Sequence, residues 1–188
     1  RLVSGDIEVS SIKKRVLLKT VSGDIDAEEL EGEVRFETVS GDIMDINNGS
    51  ESATYQSVSG DITSQSDSVA ELTVQSVSGD IDVKAGVLRK GKVTTVSGDA
   101  ILTAGLHSTA RIESSSVSGD LTFKWMGDIH SSFNIKSNAG GEITNRLTDD
   151  KANEAEWGPS SRLEFSVGDA SADVSATTVS GEITLDKN

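Results

Sequence analysis

Apolar and polar residues alternate in short bursts along this chain, and the alternation slips at the same place each time. Between residues 34 and 38, Val34, Phe36 and Thr38 alternate with Arg35 and Glu37, the two-residue period of a half-buried strand. Val39 follows Thr38 directly, so that Val39, Gly41 and Ile43 share one face while Ser40, Asp42 and Met44 take the other. The slip predicts a bend or bulge at the Thr38–Val39 junction, with Gly41 supplying backbone freedom there. Val, Gly and Ile are thus expected to point inward, and Ser and Asp outward. The pattern recurs as Leu72, Val74, Ser76 before Val77, Gly79, Ile81, and as Ile112, Ser114, Ser116 before Val117, Gly119, Leu121. Polar connections of varying content, such as 47–51, separate the two strands of each unit. No segment sustains a 3.6-residue period, so helix is expected to be nearly absent.

The slip coincides with a repeated tetrapeptide. Val-Ser-Gly-Asp occurs seven times, starting at Val3, Val21, Val39, Val58, Val77, Val96 and Val117, and Val179-Ser180-Gly181-Glu182 is a further copy with the homologous acid. The glycines of the seven are spaced 18, 18, 19, 19, 19 and 21 residues apart. A fixed period near this length marks a solenoid. Two short strands and a turn cannot bury their own apolar face, whereas stacking them in register builds a continuous core. The chain is therefore expected to be all-β, a single parallel β-helix (β-solenoid) spanning 1–188 in about nine coils of roughly 18–22 residues, right-handed because parallel crossovers favour that hand. At the ~4.8 Å spacing of strands this is a rod about 45 Å long. A closed up-and-down barrel is the rival, but it would not need one motif on every second strand. Near the end the rhythm weakens. Ala139-Gly140-Gly141-Glu142-Ile143 reads as a degenerate copy, 145–161 as an irregular polar insertion, and Val167-Gly168-Asp169-Ala170 as a copy lacking its serine.

Composition narrows the function classes. Thirty-one acids against 17 Lys and Arg give a formal charge of −14, which disfavours nucleic acid and bare anionic membrane. There is no cysteine, hence no disulfide framework or thiolate metal site. No apolar run approaches the ~18 residues of a membrane span. The start at Arg1, inside a repeat and without Met, implies a piece of a longer chain.

Tandem Val-Ser-Gly-Asp-Ile units at this spacing, from Val3 to Leu185, resemble the bacterial adhesin-like DUF4097 family of β-strand-repeat proteins. The resemblance implies a β-helical domain at the bacterial cell envelope or surface, often linked to envelope stress, and carries no catalytic residues with it.

The sharpest candidate chemistry is the column of acids Asp6, Asp24, Asp42, Asp61, Asp80, Asp99 and Asp120, continued by Glu142 and Glu182. Carboxylates ~4.8 Å apart repel by about 0.9 kcal/mol in water and about 3.5 kcal/mol at an effective dielectric of 20. Hydrogen bonds from backbone N–H groups or serine hydroxyls would offset this. So would calcium held by Asp24, Asp42, Asp61, Asp80, Asp99 and Asp120, although calcium-binding β-rolls use a nine-residue period with paired glycines. The hydrogen-bonded turn is the expected reading, with no cofactor. The serines of the motif and the Thr or Ser before each Val are expected to form hydrogen-bonding ladders along the stack. A serine nucleophile needs a base, and neither His107 nor His130 occupies a special point of the repeat. Trp125, Met126 and Trp157 are the candidate binding residues, either stacking on a sugar ring or partner peptide, or shielding the last coils. The expected function is a non-enzymatic envelope or surface interaction module that contacts a protein or glycan. A polysaccharide-acting β-helix enzyme and a scaffold assembling through its solenoid ends are the alternatives.

Overall fold

A computed structural model describes residues 1–155 and 158–188. In chain order the strands are β1 (Ile7–Ser10), β2 (Val16–Lys19), β3 (Ile25–Glu28), β4 (Glu33–Glu37), β5 (Ile43–Ile46), β6 (Ser52–Gln56), β7 (Ile62–Gln65), β8 (Glu71–Gln75), β9 (Ile81–Thr94), β10 (Ala100–Ser115), β11 (Leu121–Met126), β12 (Ser131–Ser137), β13 (Ile143–Asn145), β14 (Asn153–Glu154), β15 (Ser161–Val167), β16 (Ala172–Thr178) and β17 (Ile183–Lys187). Among the described residues there is no helix.

Each turn consists of a strand, a connection, a second strand and a Val-Ser-Gly-Asp corner. First strands stack in parallel on first strands, placing Ile25, Ile43, Ile62, Ile81, Ala100 and Leu121 in one register column. Second strands do the same, with Val34, Ala53 and Leu72 in line. The sequence therefore repeats its inward positions every coil because each stacks on its counterpart below. These side chains are almost fully buried, as are Leu30 and Val69 from the connections and Leu88 from the middle of the long strand β9. At about 1.5–3 kcal/mol per buried branched side chain, the coils are held together mainly by this axial burial.

The seven Val-Ser-Gly-Asp corners delimit six regular turns rather than the expected nine coils. The difference lies in the end of the chain, which does not continue the spiral. After Met126, β12 and β13 form a layer two strand positions above β10 and β11. The chain then runs back as β15, antiparallel to β12, with β14 antiparallel beyond it. Finally β16 enters between β10 and β12, and β17 between β11 and β13, parallel to both neighbours in each case. Val167-Gly168-Asp169-Ala170 is consequently no motif copy but part of the turn that carries β15 over β12 into β16. Gly168 and Ala170 have left-handed φ values of 64° and 53° there.

The corner also departs from the alternation read in the sequence. Val39 is 45 % exposed, as are Val58 and Val77, while Thr38 and Gly41 are buried. Two consecutive residues, Val and Ser, thus point outward between an inward Thr and an inward Gly, which displaces the bend by one residue. From Gly41 to Gly119 the motif glycines are dictated by contact and not by torsion, whereas Gly5 and Gly23 also have positive φ values of 122° and 154°. A Cβ on Gly41 would lie 1.9 Å from the carbonyl oxygen of Gly23, and one on Gly60 1.9 Å from that of Gly41. The backbones of successive coils touch at this column.

Candidate functional site

The acid column is satisfied by backbone. Asp42 N–H donates to Asp24 Oδ1 at 2.9 Å, Asp61 N–H to Asp42 Oδ1 at 2.8 Å, and Asp80 N–H to Asp61 Oδ1 at 2.8 Å. Asp99 to Asp80, Asp120 to Asp99, and Glu182 to Asp120 repeat the bond at 2.9, 2.9 and 2.7 Å. Every carboxylate below the top of the stack accepts a charge-assisted bond from the next layer, which offsets the like-charge repulsion. Among the described residues no group of three or more His, Cys, Asp or Glu is arranged to hold a metal.

The serine column forms the expected ladder. Ser40, Ser59 and Ser78 each donate both N–H and hydroxyl to the carbonyl of the motif Val one coil below, as with Ser59 to Val39 at 3.0 and 3.1 Å. The Thr or Ser before each Val does not form a ladder. At Thr38, Ser57, Ser76 and Thr178 the hydroxyl closes its own corner, Thr38 Oγ1 accepting Gly41 N–H at 3.0 Å and Ser57 Oγ accepting Gly60 N–H at 2.9 Å, while Thr20 Oγ1 is buried without a partner. In two later coils Thr95 and Ser116 instead donate to the carbonyls of Gly98 and Gly119. The repeated polar groups therefore face one another rather than a ligand.

Trp125 is fully buried, so it offers no stacking platform. It stands on an inward position of β11, stacked on Phe123 at 5.5 Å and tilted against Phe133 at 6.4 Å. Phe133 stacks in turn on Phe165 at 4.6 Å. This aromatic column fills the core where the last layers meet, the shielding alternative for this residue. Met126, beside it, is partly exposed. Trp157 lies outside the described residues. Neither histidine meets a serine in a nucleophilic arrangement. His107 Nδ1 lies 3.1 Å from Thr109 Oγ1, and His130 Nδ1 lies 3.1 Å from Asp169 Oδ1, which also accepts the Ser171 hydroxyl at 3.0 Å. That hydroxyl, followed by the imidazole, holds the exposed Asp169 carboxyl below its ordinary range.

A buried polar cluster escaped the sequence reading. Asp45 takes an inward position of β5, in register with Ala27 below and Ser64 above. Tyr55 donates to its Oδ2 at 2.6 Å and Asn48 Nδ2 at 2.7 Å, while Ser64 donates to the Tyr55 hydroxyl at 3.1 Å. Asp45 Oδ1 and Ser50 Oγ are buried without a partner. Burial raises the Asp45 carboxyl to about 6 against the lowering effect of its two donors, and raises the Tyr55 phenol as well. The signal was present: Asp45 has the parity of Ile43 in a strand whose odd positions point inward.

The irregular end frames an open polar recess of about 630 Å³ lined by Gly140–Ile143, Asn145, Asp150–Ala152, Glu154 and Gly158–Ser161. Asn145 organises its floor, donating to Thr148 Oγ1 at 2.9 Å and to the Asp150 carbonyl at 3.0 Å while accepting Leu147 N–H at 3.0 Å. Glu142, Asp150, Lys151 and Glu154 are exposed around it. Here the acid column ends on Glu142, and the polar groups are not repeated from coil to coil.

The family model described as Toastrack DUF4097 matches residues 1–71 and, in an overlapping second match, 32–186. No curated protein and no solved structure matches the chain.

Proposed function

The chain belongs to the Toastrack DUF4097 family, and from that premise we propose that it is a non-enzymatic β-solenoid interaction module of the bacterial envelope or cell surface. Its rod holds out a contact site at the irregular end. One observation carries the reading. The side chains of the motif are spent on neighbouring coils, carboxylate to N–H and hydroxyl to carbonyl, whereas Glu142, Asp150, Lys151 and Glu154 surround an open recess. Three acids and one lysine suit a partner that presents hydroxyls or amines, as a glycan or a protein loop does. The fold and the family support a repeat module; the envelope setting is part of this proposal and rests on the expectation that the repeat resemblance carries.

The test is binding of the chain to a glycan array and to envelope proteins in pull-down, against a variant carrying Asp150→Ala, Lys151→Ala and Glu154→Ala. Binding that drops at least tenfold in the variant at unchanged melting temperature is expected. Equal binding by both chains would move the contact site to the flanks of the rod. Turnover of any polysaccharide would overturn the non-enzymatic reading.

A further inference from the structure

The layer formed by β16 and β17 follows β12–β15 in strand order and yet lies inside the stack, below β12 and β13. It bonds along both edges. Ser116 N–H donates to the Thr177 carbonyl and Leu121 N–H to that of Glu182 on one side; Asn138 N–H donates to the Thr178 carbonyl and Ile183 N–H to that of Glu142 on the other. It also obeys the grammar of the repeat. Ser180 N–H meets the Val117 carbonyl, Glu182 N–H meets Asp120 Oδ1, and a Cβ on Gly181 would lie 2.2 Å from the Gly119 oxygen. A segment read in this way fits one kind of slot, the place of one strand between Gly-centred corners that stand two strand spacings apart.

That slot exists because the link 127–130 carries the chain past one layer before β12 begins. Two strand spacings are about 9.6 Å, within the reach of four residues. The segment that fills it is tied to the rest by a short turn, 168–171, which crosses the start of β12. Ala170 is held there in the left-handed region, an uncomfortable conformation for a residue with a Cβ. Nothing in the contacts of the segment requires that it come from the same chain, since its partners lie some 40 to 60 residues away in sequence.

We propose that the gap between β10–β11 and β12–β13 is a strand-accepting slot that takes the 172–188 segment of a second copy, giving a dimer by reciprocal exchange. The turn at 168–171 is the hinge: opening it makes β15 and β16 extend away from each other and releases the strain at Ala170. Every bond of the closed form is then remade between chains, so the balance between monomer and dimer is set by the hinge and by concentration. This does not depend on what the end recess binds.

The experiment refolds the full chain from denaturant at high protein concentration and separates the products by size. A dimer is expected, falling severalfold in Ala170→Gly, which removes the hinge strain. It should rise in Gly168→Ala, where a Cβ would lie 2.4 Å from His130 Nδ1 at a φ of +64°. Absence of a dimer in all three chains, or a dimer fraction indifferent to both substitutions, overturns the proposal. The exchanged segment is identified by co-refolding Thr122→Cys chains with Thr184→Cys chains, positions paired between β11 and β17, and by the adjacent pair Lys124→Cys and Asp186→Cys. Strand spacing brings such pairs within disulfide range, and the native chain has no cysteine to compete. Oxidation should link the mixed chains into a disulfide dimer. A dimer in which neither pair links overturns the assignment of the segment. Binding losses in the recess variant leave all these readouts unmoved, so the two readings fail separately.

Discussion

The backbone N–H of Asp61 donates to Oδ1 of Asp42, 2.8 Å away in the coil below, so one acid of the motif solvates the next. Repetition of that bond turns a destabilising line of like charges into a ladder. Asp61 in turn accepts Asp80 N–H. Asp61→Ala should cost about 1–3 kcal/mol in urea denaturation, because a donor loses its partner. Asp61→Asn keeps an acceptor and removes a charge, so it should be neutral or stabilising at low salt, an advantage that shrinks as salt screens the column. A greater loss for Asn than for Ala would contradict this.

Calcium should act on the column only through screening. One oxygen of each carboxylate already holds an N–H, and millimolar Ca²⁺ is expected to shift Tm no further than a sodium salt of equal ionic strength. A calcium-specific rise reversed by EDTA would restore the calcium reading of Asp24 to Asp120.

Gly79→Ala should be among the most damaging single substitutions. Its Cβ would lie 2.0 Å from the carbonyl oxygen of Gly60 and 2.5 Å from the carbonyl carbon. Coils must separate there, and the loss should exceed about 3 kcal/mol. Val77→Ser, two residues earlier but on the outward-facing part of the corner, should stay within about 0.5 kcal/mol. Urea midpoints of the two variants decide the matter; similar values would mean that the coils are not in contact at the glycines.

Asp45 gives stability an unusual pH dependence. Its carboxyl is raised in the folded state to about 6, so between its unfolded value near 4 and about 6 the native protein binds more protons than the unfolded chain. This group's contribution therefore favours the fold below about pH 4 and is lost as pH rises through 6, by an amount on the order of 3 kcal/mol. Glu37, lowered by its bonds to Lys19 and Arg35, works in the opposite sense and loses its contribution as pH falls. The Asp45→Asn chain isolates the effect. Its stability relative to the native chain should rise between pH 4 and 7, as read by thermal melts across that range. A difference that stays constant with pH would place the Asp45 carboxyl in its ordinary range.

What the sequence disclosed follows from what a repeat can encode. The period predicted the solenoid, and the acid and serine of the motif predicted their own hydrogen bonds, since both are properties of one coil stacked on its neighbour. Val39 misled because a β-branched apolar residue is normally buried. The corner needs two successive outward positions to return the glycine to the interior, and Val39 takes the first of them. Its carbonyl serves the stack, accepting Ser59, while its side chain does not. Asp45 was legible from the parity of β5 and was overlooked among many exposed acids. The order of the last layers was not legible, because the Val179 motif specifies what it stacks on but not when it arrives. The long gap between the Val117 and Val179 copies was the trace of that detour. The recess around Asp150 has no repeated signal, only the loss of one.

Because β16 and β17 bond to the layers on either side of them, they act as a keystone. Removing the outermost layer of a simple spiral would shorten it by one turn and leave the rest paired. Withdrawing this one would strip β10 and β11 of their upper neighbours and β12 and β13 of their lower ones at the same moment. The upper part of the stack is therefore expected to open as a unit rather than to fray from its tip.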